Sequence, residues 1–190
     1  NGEFKGSIVI SDKIKENAAE ALINLKAAGV KKTVMLTGDN KKTAEKVGEK
    51  VNIDEVHSEL LPLGKVKEVE KLLKASNKNG RLAFVGDGVN DAPVLARADI
   101  GIAMGGIGSD AAIEAADVVL MKDDINALVD AINVSKKTNK ILWQNIIFAL
   151  GVKVIIMVLG TFGIANMWTA VFADVGVTII AIINSTRCFR

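Results

Sequence analysis

Three short polar segments carry the kind of groups that handle a phosphoryl oxygen or a hard cation. The densest is Gly86-Asp87-Gly88-Val89-Asn90-Asp91, where two carboxylates flank the carbonyl of Asn90. Hard oxygens of this kind suit Mg2+, which prefers carboxylates together with water and substrate phosphate. Gly86 and Gly88 allow a sharp turn and a close backbone approach to an anion. A plainer reading is a glycine turn in which Asn90 or Asp91 caps a helix and Pro93 sits in its first turn. Capping accounts for one acidic residue and leaves the other, with Asn90, unexplained. The second segment is Thr37-Gly38-Asp39-Asn40, whose Thr37 hydroxyl and following amides suit a phosphoryl oxygen at a helix amino end. Its plain alternative is again an Asp or Asn cap. The third is Pro62-Leu63-Gly64-Lys65. Lys65 falls in the first turn of a helix, the end that disfavours a cation; a lysine there is most often simply solvated, so position alone gives it no role.

A fourth constellation is far from these in sequence. From Ile141 onward the formally charged side chains are Lys153, Asp174, Arg187 and Arg190 alone, whereas the preceding part is densely charged. The only histidine, His57, has no second ligand candidate nearby and reads as a packed or partly exposed side chain.

The elements that must position these residues follow from periodicity. Short apolar runs at residues 7–10, 33–36, 82–85, 100–103 and 118–120, with a weaker one near Val56, read as strands. Between them lie helical patterns: Ile14, Ala18, Ala21, Leu22 and Leu25 up to a stop at Gly29, Lys41 to Val51, Pro62 to about Ser76, a start at Ala92-Pro93, and one from Ser109 after a glycine-rich turn at 105–108. This alternation predicts an α/β fold with a doubly wound, mainly parallel sheet. The turns at Thr37, Lys65 and Asp87 then face one crevice at the carboxyl ends of the strands, where open α/β sheets bind ligands.

The charge split marks two solvents, water first and lipid second. The stretch from Ile141 to Ile164 and that from Met167 to about Ser185 are each long enough to cross about 30 Å of hydrocarbon. They predict a two-helix transmembrane hairpin with a tight turn near Ala165-Asn166. Lys136, Lys137 and Lys140 precede it and Arg187 and Arg190 follow it, so both ends are expected in the cytoplasm with the soluble part. Trp143 and Trp168 fall near opposite interfaces. Lys153 and Asp174 then lie near the midplane, where pairing relieves the cost of both charges. That pair is either a structural tie or a cation site in which Asp174 is the ligand and Lys153 its replacement counterion. The predicted organisation is a soluble portion at 1–125, a linking helix at 126–140 and a membrane pair at 141–190. A net charge of +2 argues against nucleic acid, and the single cysteine, Cys188, excludes a disulfide framework.

Thr37-Gly38-Asp39, Pro62 to Lys65 and Gly86 to Pro93 resemble the signature set of the phosphorylation domain of P-type ATPases, built on the haloacid dehalogenase fold. The resemblance implies an ATP-hydrolysing cation translocase with Mg2+ and ATP as cofactors. It makes Asp87 the main Mg2+ ligand, with Asn90 and Asp91 supporting metal and phosphoryl group. Thr37 is implied to bond the phosphoryl oxygens, Lys65 to neutralise them, and Gly38 and Asp39 to lie by the phosphates and hinge. Asp12 and Lys15 resemble a pair at the hinge to the nucleotide domain. Leu150 to Lys153 with Ala173 to Gly176 resembles the last two helices of zinc- and cadmium-exporting members, which implies Zn2+, Cd2+ or Pb2+ as cargo at Asp174.

The Asp-Lys-Thr-Gly-Thr motif of the family is absent from these residues, as are the Cys-Pro-Cys ligands of an earlier helix. The expectation is therefore a carboxyl-terminal part of a plasma-membrane pump, whose partners are the actuator, nucleotide-binding and earlier membrane segments. The alternatives are a membrane-anchored phosphatase of the same superfamily and a non-catalytic pump remnant.

Overall fold

The computed structural model describes residues 13–76, 80–86, 89–105 and 110–189. The chain divides into two compact units, Asn1–Val129 and Asp130–Arg190.

In the first unit, helix α1 (Ala18–Ala27) buries Ala18, Ala21, Leu22 and Leu25, the one-face spacing that makes an amphipathic helix. It leads to strand β1 (Val34–Leu36) and helix α2 (Lys41–Val51), whose amino end is capped by Asn40 accepting the Thr43 N–H at 2.9 Å. Strand β2 (Glu55–His57) pairs in parallel with β1, Met35 opposite Val56. Helix α3 (Pro62–Ala75) begins with Pro62, whose missing N–H costs nothing in a first turn.

Strand β3 (Ala83–Gly86) is followed by a single 3-10 turn at Val89–Asp91 and the one-turn helix α4 (Ala92–Leu95). Strand β4 (Ile100–Met104), helix α5 (Asp110–Ala115) and strand β5 (Val118–Leu120) complete the unit. Strands β3, β4 and β5 form a parallel ladder with Val85 opposite Ile102 and Ala103 opposite Val119. Among the described residues the strands thus make two parallel ladders, β1-β2 and β3-β4-β5. The apolar centre of the second ladder is Leu95, Ala103 and Ala112, with Phe84 and Val119 against it. Leu95 and Val94 are fully buried, each removing a side chain from water at a gain of about 1.5–3 kcal/mol. The expected strand at 7–10 and most of the glycine turn at 105–108 lie outside the described residues.

Helix α6 runs unbroken over Asn126–Thr161, and helix α7 over Met167–Ser185. Both are long and apolar enough to cross a membrane. The sequence suggested a turn near Ala165-Asn166, but α6 ends earlier. Gly163 adopts φ 71°, the Ile164 N–H reaches Leu159 O at 3.0 Å, and the Gly163 N–H reaches Gly160 O at 3.0 Å. This is the left-handed glycine ending that satisfies the last carbonyls of a helix. Asn166 and Thr169 then start α7 with a reciprocal capping box.

Candidate functional site

In the first unit the polar residues are held at the carboxyl ends of β1 and β3. Thr37 follows β1 and is fixed to the neighbouring strand by its N–H donating to His57 O at 3.0 Å. Its hydroxyl donates to Asp39 Oδ2 at 2.8 Å and accepts the Asp39 N–H at 3.1 Å. The cap of α2 is Asn40, so neither Thr37 nor Asp39 is used up as a helix cap. Leu60 docks on the same turn, its N–H donating to Thr37 O at 3.0 Å, and a side chain on Gly38 would stand 3.3 Å from Leu60 O. The Thr37 turn is thereby joined to the segment that starts α3 and delivers Lys65.

Lys65 is not left to solvent. Its Nζ lies 2.8 Å from Asp91 Oδ1, with the two side chains 20% and 13% exposed. Asp91 occupies the residue before α4 but makes no capping bond with its side chain. The capping alternative for Asp91 is therefore excluded. The carboxylate is turned across to the lysine, 26 residues away in sequence. Its other oxygen, Oδ2, would be 3.1 Å from a Cβ on Gly86, and Asp91 Cβ would be 3.0 Å from it. Only glycine leaves room for that carboxylate at the end of β3. Asn90 is exposed beside it. A carboxylate oxygen with no hydrogen bond among the described residues, next to an exposed amide, is a hard-oxygen donor set of the type Mg2+ takes, so the described residues fit that ion. Asp87 and Gly88 lie outside the described residues, as does Asp12.

Lys15, expected at a hinge, makes an ion pair with Asp123 Oδ1 at 2.6 Å and donates to Asp123 O at 2.9 Å. Next to it Asn17 Nδ2 donates to Asp124 Oδ1 at 3.0 Å. The same oxygen accepts the backbone N–H of Asn126 at 2.9 Å and its side-chain amide at 3.2 Å, at the first residue of α6. Sequence reasoning missed Asp123, Asp124 and Asn17. An acidic pair immediately before a long helical pattern was the available signal.

His57 lies between two carboxylates, Nε2 at 2.8 Å from Glu55 and Nδ1 at 3.2 Å from Glu68, which ties β2 to α3. Glu55 also pairs with Lys32, and its carboxyl is lowered first by Lys32 and then by His57. Among the described residues no group of three or more His, Cys, Asp and Glu side chains is arranged to hold a metal ion.

In the second unit Lys153 Nζ and Asp174 Oδ1 are 3.1 Å apart, joining α6 to α7. They border a groove of about 520 Å3 whose other walls include Ile156, Met157, Met167 and Val177. The groove therefore presents one carboxylate and one ammonium in a wall that is otherwise apolar. An ammonium so placed can exchange with a cation for the same carboxylate.

Comparison with known proteins supplies a setting for both arrangements. The family model for haloacid dehalogenase-like hydrolases matches residues 1–99. The chain is 57% identical over 187 residues to the cadmium, zinc and cobalt-transporting ATPase of Bacillus subtilis (strain 168), covering 98% of this chain and 27% of that protein. It is 56% identical to the zinc-transporting ATPase of Synechocystis sp. (strain ATCC 27184 / PCC 6803 / Kazusa), covering 98% of this chain and 26% of that protein. A crystal structure of a zinc-transporting PIB-type ATPase in the E2.Pi state superposes with a TM-score of 0.85 at 41% identity, over 94% of this chain and 28% of the other. The chain thus spans about a quarter of the length of the curated relatives it matches.

Proposed function

The chain belongs to the haloacid dehalogenase-like hydrolase family, and we propose that it is the phosphorylation-domain and membrane-helix portion of an ATP-driven exporter of a divalent heavy-metal cation. It is an integral membrane protein by its two apolar helices and its relatives among metal-transporting ATPases. In this reading residues 1–125 act on the phosphoryl group, 126–140 link, and 141–190 form the membrane pair. The phosphoryl group is carried by an aspartate that is not among these 190 residues. ATP supplies it, and hydrolysis of the aspartyl phosphate releases inorganic phosphate.

The residues divide the work by charge and reach. Lys65, paired with Asp91 at 2.8 Å, gains a second set of anionic acceptors when a phosphoryl group arrives and neutralises part of its charge. Thr37 releases Asp39 and turns its hydroxyl to a phosphoryl oxygen, with Gly38 letting the backbone approach. Asp91 and Asn90, with Asp87, would hold Mg2+, which when bound supplies further neutralisation of the phosphoryl oxygens. Positioning and electrostatics supply the catalysis, as expected where the transferring group needs little covalent help. Lys15 with Asp123, and Asn17 with Asp124, tie the entry of α1 to the residues that open α6.

The single observation that carries the transport reading is the 3.1 Å contact between Lys153 and Asp174. A carboxylate favours a divalent ion over Cu(I), which prefers softer ligands, so Zn2+, Cd2+ or Pb2+ is the cargo assigned to Asp174, with Lys153 the counterion when it leaves. In this reading the soluble unit and both ends of the helix pair lie on the cytoplasmic side, from the flanking lysines and arginines, and the plasma membrane is the host proposed for an exporter. The experiment is ATP-dependent uptake by inverted vesicles carrying the full-length protein. Zn2+ and Cd2+ should accumulate and Cu(I) should not, and Asp174→Ala should abolish the uptake. Undiminished zinc uptake by that variant would overturn the assignment.

A further inference from the structure

Asn145 and Asn184 stand in the apolar stretches of α6 and α7, and neither the phosphoryl site nor the cation site uses them. Their amides close a network across the two helices. Asn145 Nδ2 donates to Ala181 O at 3.2 Å and to Ser185 Oγ at 2.9 Å. Asn145 Oδ1 accepts from Asn184 Nδ2 at 2.8 Å. Asn184 Oδ1 accepts from Arg187 Nη1 at 3.0 Å, and Ser185 Oγ donates to Ala181 O at 2.8 Å. Both amide protons of Asn145 and its carbonyl oxygen therefore have partners on α7, a fit that an axial slip would undo.

This clasp and the Lys153–Asp174 contact lie on one register of the antiparallel pair. From Asn145 to Lys153 along α6 is about 12 Å and from Asn184 back to Asp174 along α7 about 15 Å at 1.5 Å per residue, two to three turns on each helix. Between the two polar contacts the helices carry apolar residues, among them Phe148 and Val152 on α6 and Val177 and Ile180 on α7. In lipid such side chains give little drive to one register over another, whereas cross-helix amide bonds discriminate, as a single interfacial Asn does in paired helices.

We infer that the Asn145–Asn184 clasp is a positioning device that sets the axial register of α6 against α7 and so holds Lys153 opposite Asp174. A slip of one turn displaces the facing residues by about 5.4 Å, which separates the two charges. The consequence for transport rests on the assignment of Asp174 as cation ligand, while the register itself does not.

The test reads the two separately. In the chain reconstituted in bilayers with its one cysteine removed as Cys188→Ser, cysteines at Ile156 and Ala170, which line the same groove, report the native register by disulfide formation. Asn184→Leu should lower that yield about fivefold or more and raise the yield of the offset pair Ile156→Cys with Ala173→Cys, with helix content by circular dichroism unchanged. In the full-length protein the same variant should raise the zinc concentration for half-maximal ATPase about tenfold, and Asn184→Gln, which keeps the amide, should recover much of both effects. A cross-linking pattern unaltered by Asn184→Leu and by Asn145→Leu would overturn the inference. A shifted pattern with an unaltered zinc response supports it and counts instead against Asp174 as the ligand.

Discussion

Replacing Lys65 by methionine isolates the electrostatics of the phosphoryl site, because Met keeps most of the stem and removes the ammonium. The ammonium sits 2.8 Å from Asp91, and the two side chains are only 20% and 13% exposed. Breaking a fully buried pair costs about 3–5 kcal/mol, and losing a hydrogen bond to a charged group about 1.5–3 kcal/mol. Residual exposure places this pair between the two, so about 2–3 kcal/mol is expected. Asp91 lies between β3 and α4, and the loss should appear as opening of that region. Amide exchange of β3 and β4 in Lys65→Met should accelerate about 30- to 150-fold at neutral pH without Mg2+, with α1 and α2 little changed. Removing the competing cation also frees both oxygens of Asp91. Mg2+ should therefore restore protection more in the variant than in the parent, its stabilisation of the variant reaching about 2.7 kcal/mol at a hundredfold excess over the variant's dissociation constant. Unchanged exchange would show that Lys65 and Asp91 are not energetically coupled. Loss of protection that Mg2+ does not restore would remove Asp91 from the metal site.

Gly86→Ala should push Asp91 out of place, since the new Cβ meets its Cβ at 3.0 Å and Oδ2 at 3.1 Å; the expected result is about 1–3 kcal/mol of destabilisation, with Mg2+-dependent activity of the full-length protein reduced, read by exchange and turnover together. Asp124→Ala, which removes the acceptor of the Asn126 N–H, should fray the first turn of α6 by about 1 kcal/mol, whereas Asp123→Ala, whose pair with Lys15 is half exposed, should cost under about 1 kcal/mol. The contrast is measurable by exchange at the start of α6. Asp54 is lowered from an ordinary 3.8 to about 2, first by its hydrogen bond from Lys26 and then by Thr33. A depressed carboxyl contributes its stabilisation in full above the unfolded value of 3.8 and loses it as pH falls toward about 2. Asp54→Asn should accordingly flatten the acid limb of an unfolding titration in that window and leave the rest unchanged.

Much of this was legible because it is local. The bounds of α2 follow from its period, and the cap at Asn40 is the residue immediately before it. The strands at Val34, Ala83, Ile100 and Val118 are short apolar runs between turn residues. Lys153 and Asp174 were legible as a pair because each is the lone charge in its apolar stretch, Ile141 to Ile164 and Met167 to Ser185. The partners of Lys65 and Lys15 were not legible, since Asp91 is 26 residues from the first and Asp123 is 108 from the second. Spacing rules reach only a few turns, and both contacts are set by how strands and helices stack. The capping alternative at Asp91 was undecidable from sequence for the same reason, because the competing acceptor site for Lys65 is tertiary. The end of α6 was misplaced by a few residues because apolarity continues through Ile164 while the backbone already turns at Gly163.

Phosphorylation from inorganic phosphate in the full-length protein reads whether the phosphoryl site and the cation site are coupled. If the cation-bound form and the form that accepts phosphate are alternative states, Zn2+ must suppress the phosphoenzyme by the free energy with which it favours the first. Zn2+ should suppress the phosphoenzyme in the parent protein and, in Asp174→Ala, leave its level equal with and without the ion. Suppression that persists in Asp174→Ala would contradict coupling through Asp174.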